Sequence, residues 1–156
     1  MEQPPLTMSA TCPSDTPPFD YGPMGLTSAP NMALGIKAFL VTASSRPPFK
    51  GPNDWTIAIT NLDGAAMPDA NLTWACAFMP THGHGSNPKM VNKLGDGQFE
   101  LVKQNMAMEG GWEIRLWVDP MGGGTPYTGG SSALDPNACR GPGTDVSLVL
   151  KACVPG

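Results

Sequence analysis

From Leu34 onward the chain alternates. Leu34, Ile36, Ala38 and Leu40 interleave with Gly35, Lys37, Phe39 and Val41, the period-two pattern of a strand with both faces partly apolar. Arg46-Pro47-Pro48 ends it, because proline offers no backbone donor to a ladder. Next, Trp55, Ile57 and Ile59 share one face while Thr56, Ala58 and Thr60 share the other, which predicts a half-buried strand closed by the turn residues Asn61-Leu62-Asp63-Gly64. Leu72, Trp74, Cys76 and Phe78 fall on one face of a third strand, and that face is assigned to the core. Met90 and Val91 open a short strand that turns at Gly95-Asp96-Gly97, and Phe99 and Leu101 form the return toward Lys103. Glu109-Gly110-Gly111 predicts a turn ahead of the clearest strand in the chain, where Trp112, Ile114, Leu116 and Val118 alternate with Glu113, Arg115 and Trp117. Val146, Leu148, Leu150 and Ala152 supply a last strand.

Three stretches break the alternation. Residues 1–31 hold seven prolines, from Pro4 to Pro30, and read as an extended arm, which leaves 32–156 as the folded domain. Pro80 to Pro88, containing His82-Gly83-His84, is expected to be a loop and not a ladder. Pro120 to Gly143 is rich in Gly, Pro and Ser and has no period, an excursion beyond the usual loop length that is either functional or decorative. Short strands with a turn about every 10 residues predict an all-β, immunoglobulin-like β-sandwich of about seven antiparallel strands, with a Pro-rich N-terminal arm and a long Gly-rich loop. No internal repeat and no amphipathic helix interrupts that pattern.

Composition agrees and narrows the partners. The 156 residues are enough for one core, and 19 glycines with 18 prolines disfavour helices. Charged residues are 14% of the chain and the net charge is −4, with the bases scattered, so no face is basic enough for nucleic acid. No apolar run approaches the ~20 residues of a membrane span, and the chain is expected to be soluble. No signal peptide is present, so Met1 reads as a cloning start or the head of a trimmed chain.

Cys12, Cys76, Cys139 and Cys153 match no Cys-x-x-Cys metal or redox spacing. Two disulfides and an oxidising compartment fit better than free buried thiols, which remain the alternative. Of the three pairings, Cys139 with Cys153 is preferred, clamping the Gly-rich segment onto the last strand and leaving Cys12 to reach Cys76.

The two histidines of the chain, His82 and His84, stand at i and i+2, where an extended backbone points both side chains to the same side. Met106 and Met108 repeat that spacing before the Gly-Gly turn, and Met79 ends the strand that leads into the histidines. Imidazoles and thioethers together suit copper, as Cu(I) or Cu(II), better than zinc. Set against this, methionine commonly fills core gaps, and a Gly-flanked histidine can be a plain exposed turn. Catalytic signals are thin: no nucleophile elbow, phosphate loop or metalloprotease helix occurs, and Ser86 is a loop neighbour of the histidines without a holding partner. Asp54, Asp63, Asp119 and Asp135 read as turn residues accepting local backbone hydrogen bonds. Three of the four tryptophans, Trp55, Trp74 and Trp112, are assigned to the core, with Trp117 on the opposite face beside Glu113 and Arg115. The chain is not expected to be an enzyme.

The segment from Gly51 to Val118 carries Gly51-Pro52-Asn53-Asp54-Trp55-Thr56-Ile57, Asp63-Gly64, Ala70, Met79-Pro80-Thr81-His82-Gly83-His84-Gly85, Gly95-Asp96-Gly97-Gln98-Phe99 and Met108-Glu109-Gly110-Gly111-Trp112-Glu113-Ile114. In these elements it resembles the YtkA-like family, which includes the periplasmic part of FixH-like proteins. The resemblance implies an immunoglobulin-like sandwich, exported or anchored in the cell envelope and linked to copper handling, with a lipid anchor upstream of residue 1 compatible with it. Met79, His84 and Met108 match the family's pattern, while His82 stands where the family favours methionine, a shift toward nitrogen and Cu(II). The arm, the four cysteines and the 120–143 segment lie outside the resemblance.

The leading expectation is therefore a periplasmic or extracellular copper-binding accessory domain, with His82 and His84 as nitrogen ligands and Met79, Met106 and Met108 as sulfur ligands. The rival is an envelope module that binds no metal and meets a protein or polysaccharide partner through its loops.

Overall fold

A computed structural model describes residues 27–45, 48, 50–140 and 145–154, so most of the proposed arm, and Cys12 with it, lies outside the described residues. Eight strands follow in order: β1 (Ile36–Ala43), β2 (Gly51–Asn61), β3 (Asn71–Met79), β4 (His84–Ser86), β5 (Met90–Gly95), β6 (Gln98–Met106), β7 (Gly110–Asp119) and β8 (Leu148–Val154). They form two four-stranded antiparallel sheets, β1-β2-β6-β5 and β4-β3-β7-β8. This is the strand order of an immunoglobulin-like sandwich, with one short strand added at the edge of the second sheet.

The inner faces are those that the alternation marks on most strands. Ile36, Ala38 and Leu40 of β1, Trp55, Ile57 and Ile59 of β2, and Phe99 and Leu101 of β6 face Trp112, Ile114 and Leu116 of β7 and Leu148, Leu150 and Ala152 of β8 in one continuous core. Leu34 stays outside it, exposed ahead of β1. Thr27 and Asn31 bridge to Phe39 and Ile36, and the Ser28 hydroxyl accepts from Ala38 N at 2.9 Å, which covers the free edge of β1.

On β3 the expected face is wrong beyond Leu72. The β3–β7 register slips between Leu72 and Trp74, and one extra residue in a strand reverses the direction of every side chain that follows. Ala75, Ala77 and Met79 therefore enter the core, while Trp74, Cys76 and Phe78 turn to the outer face. A second slip acts on β6. Val102 and Lys103 together oppose Asp54, Lys103 adopts a φ of 52°, and its N–H donates to Asp54 Oδ1 at 2.9 Å. Gln104 and Met106 become the buried positions of that strand as a result. Asp119 and Asp135 accept from Met121 N and Asn137 N, the local turn bonds expected of them, whereas Asp54 reaches across to another strand.

Over its described residues, 120–140, the excursion covers the outer face and edge that β3 and β4 present. Tyr127 N donates to Leu72 O, Val91 N to Thr128 O, Asn87 N to Ser131 O, and Gly85 and Asp135 exchange backbone bonds. The Tyr127 ring lies on Trp74 at 4.5 Å, and Trp74 Nε1 donates to Ala138 O, so Trp74 is packed under the excursion and not in the core. Trp117, also on the outer face, is buried all the same. Phe78 is capped by the Arg115 guanidinium at 4.2 Å, and Arg115 pairs with Glu113 at 2.6 Å.

The disulfide pairing expected from spacing is overturned. Cys76 bonds Cys139, with Cα atoms 5.5 Å apart, so Cys139 is not the partner of Cys153 and Cys76 is not that of Cys12. The reversal on β3 is the cause: it sends Cys76 to the outer face, where the excursion delivers Cys139. Cys153 lies in β8 opposite Gly111 and is also disulfide-bonded. Among the described residues no helix is long and apolar enough to cross a membrane.

Two outcomes are expected. The Cys76–Cys139 bond closes a span of 63 residues, so loop entropy alone assigns it about 4 kcal/mol. A Cys76→Ala/Cys139→Ala variant should lose about 2–4 kcal/mol in urea unfolding and become cleavable within 120–140 by limited proteolysis. The Tyr127 hydroxyl is buried without a hydrogen-bond partner, and burial pushes its pKa up to about 12. The unfolded chain ionises first, so stability should fall as pH rises from about 10 toward 12. Tyr127→Phe should flatten that decline in alkaline thermal melts at almost no cost at neutral pH.

Candidate functional site

β3 and β4 meet in a tight turn in which the His82 and Gly83 N–H groups both donate to Met79 O, at 3.1 and 2.9 Å. The turn leads straight into a ladder: Met79 opposes His84, Phe78 opposes Gly85 and Ala77 opposes Ser86. The expected loop from Pro80 to Pro88 thus contains a strand. No side chain could stand at its centre, because a Cβ on Gly85 would overlap the Ala77 carbonyl oxygen.

The pairing settles where His84 points. Residues directly opposed across an antiparallel ladder project from the same face, and Met79 and Ala77 lie on the inner face. His84 and Ser86 are therefore directed inward at the β4 edge of the sandwich. Ser86 fixes that edge to the opposite sheet: its hydroxyl donates to Asn105 O at 2.6 Å, while Gln104 Nε2 donates to Ser86 O and Oγ at 3.1 and 3.2 Å. The hydroxyl weighed as a neighbour of the histidines is thus engaged in joining β4 to β6.

β6 ends in Met106 at this same place. Met106 and Met79 are fully buried in the core, and Met108 packs partly buried against it. Trp112 Nε1 donates to Met108 O at 2.9 Å, which ties the β6–β7 connection to the start of β7. The His84 ring centroid is 6.4 Å from that of Trp112 and 5.6 Å from that of His82, itself exposed. The two segments carrying the five predicted ligands, His82, His84, Met79, Met106 and Met108, therefore end at one pole of the sandwich.

One atom in this group lacks what burial demands. His84 Nδ1 is enclosed by protein and has no hydrogen-bond partner. A buried polar atom left unmatched costs about 1–3 kcal/mol. A lone pair aimed at a cation would remove that cost. Among the described residues no three His, Cys, Asp or Glu side chains are grouped to hold a metal, so a metal here would require thioether sulfur. The chemistry of the donor set then selects a soft ion.

The residues that seat the histidines escaped the sequence reading. Ser86, Gln104 and Trp112 carry no motif for that role, and a polar pair at 104 and 86 becomes visible as an inward-facing tie once the slip at Lys103 is known. Gly85 was the available signal, as a glycine between two strand-compatible residues. Gly85→Ala should push β4 off β3, destabilising the fold by roughly 1–3 kcal/mol in chemical unfolding and shifting the His84 imidazole resonances by NMR.

Comparison with protein-family models, with curated proteins and with solved structures returns no match, so the resemblance to the YtkA-like family rests on the residues quoted for it.

Proposed function

We propose that the protein is an exported copper-binding accessory domain of the cell envelope, a YtkA-like module that takes up and holds a copper ion and catalyses no reaction. The observation that carries this reading is the unmatched, buried Nδ1 of His84, opposed by Met79 in the ladder and lying 5.6 Å, ring to ring, from His82. In this reading His84 is the anchoring nitrogen ligand, and His82, at the solvent side, is the second. Met79, Met106 and Met108 supply sulfur from the protein side. Thioether sulfur favours Cu(I) and imidazole accepts both oxidation states, so a mixed set holds copper through a change of charge. A disulfide-bonded chain fits an oxidising compartment, and the envelope is the one proposed.

Isothermal titration of the full chain with Cu(I), in a competing chelator, and with Cu(II) tests the reading. The wild type should bind one equivalent of copper. A His82→Ala/His84→Ala variant should bind it more than about 100-fold more weakly, beyond the loss caused by removing an outer partner of a ligand. Equal, weak uptake by both proteins would contradict the proposal. Protons compete for imidazole nitrogen, so wild-type affinity should also weaken on acidification from pH 7 to 5, and a flat response would remove the histidines from the site.

A further inference from the structure

The pole of the sandwich remote from His84 holds a concave site. Asn71 pairs with Asp119 at one end of the β3–β7 ladder and Phe78 with Glu113 near the other, which separates the two poles by roughly 20 Å at the rise of a strand. A cleft of about 730 Å³ opens there, between the start of β3, the end of β7 and the segment that enters β8. That volume is within the range of small-molecule sites.

The lining has a one-sided chemistry. Leu34, Val118, Pro120 and Met121 give it apolar walls, and Leu34 and Met121 are 41% and 87% exposed, apolar surface that the fold leaves uncovered. Of the hydroxyl residues that line it, Thr73 donates to Trp117 O, and Ser147 Oγ accepts from Val118 N and donates to Val118 O, while Thr125 adds a neutral hydroxyl. Two carboxylates are different. Asp119 uses Oδ1 to accept from Met121 N, and its Oδ2 is left room by Gly123, where a Cβ would come within 2.6 Å. Asp145 makes no hydrogen bond or ion pair to a described residue. Among the described residues, no lysine, arginine or histidine lines the cleft.

We infer that this cleft binds a small organic cation, a primary amine on an apolar stem. The ammonium group meets the carboxylates of Asp119 and Asp145, and the stem covers Leu34, Val118 and Met121. Acceptors without competing cations at the rim of an apolar hollow select charge by attraction and size by burial. The site is separate from the copper reading and stands or falls without it.

Titration of the full chain with phenethylamine, followed by calorimetry and by NMR shifts of the cleft residues, tests the inference, with 3-phenylpropionate as the anionic probe of similar shape. The amine should bind saturably and the carboxylate should not. An Asp119→Asn/Asp145→Asn variant, in which residue 119 keeps its acceptor for Met121 N, should bind the amine at least tenfold more weakly, while His82→Ala/His84→Ala should leave binding unchanged. If the double variant does not fold, Asp145→Asn alone carries the same comparison. Equal binding of both probes, undiminished binding by the folded variant, or no saturation by about 10 mM amine, where a site of about 1 mM affinity would be nearly full, would overturn it.

Discussion

The slip between Leu72 and Trp74 decides what each side of β3 does, and most of the molecule is arranged around the result. Because the strand period is two, a single added residue moves Met79 inward and Cys76 outward together. The inward set gives the second sheet its share of the core and places Met79 opposite His84. The outward set, Trp74, Cys76 and Phe78, creates an apolar outer face that a sandwich of this size cannot leave in water. The 120–140 excursion answers that demand with the Tyr127 ring, the Ala138 carbonyl and the disulfide from Cys139.

The excursion also protects edges. β4 would otherwise offer a free strand edge for pairing with another chain, and the reciprocal bonds between Gly85 and Asp135 close it. A segment without any periodicity is therefore a structural strap. Its composition suits that task, since a path that follows an edge and then crosses a face needs many changes of direction and little side-chain bulk.

How much of this was legible depended on whether a strand runs without a bulge. β2, β7 and β8 carry no added residue, the slips in their pairings arising in β1, β3 and β6, and their buried residues Trp55, Ile57, Ile59, Ile114 and Leu150 are those that alternation marks. On β3 and β6 the pattern is read correctly as strand and then inverted midway, and no single residue type announces a bulge at Thr73 or Lys103. The error on β3 propagated to the cysteines, because a pairing guessed from closeness in sequence had no means of knowing which face Cys76 would occupy. At the candidate site, the residue types and their two-residue spacing were visible. The depth of Met79 and Met106, the inward turn of His84 and the ties through Ser86 and Gln104 were not, since each depends on contacts between strands far apart in sequence.

The pole so formed has an apolar floor, a half-buried imidazole with an unmatched nitrogen and an exposed second imidazole above it. In the proposed copper-binding role, such a gradient from sulfur to nitrogen would let an ion be received from solvent and then held away from it. The account turns on whether both kinds of donor reach the same ion. X-ray absorption at the copper edge of the Cu(I)-loaded full chain reports the atoms bound to the metal. The account predicts sulfur and nitrogen together in the first coordination shell, and a shell of nitrogen and oxygen alone would contradict it.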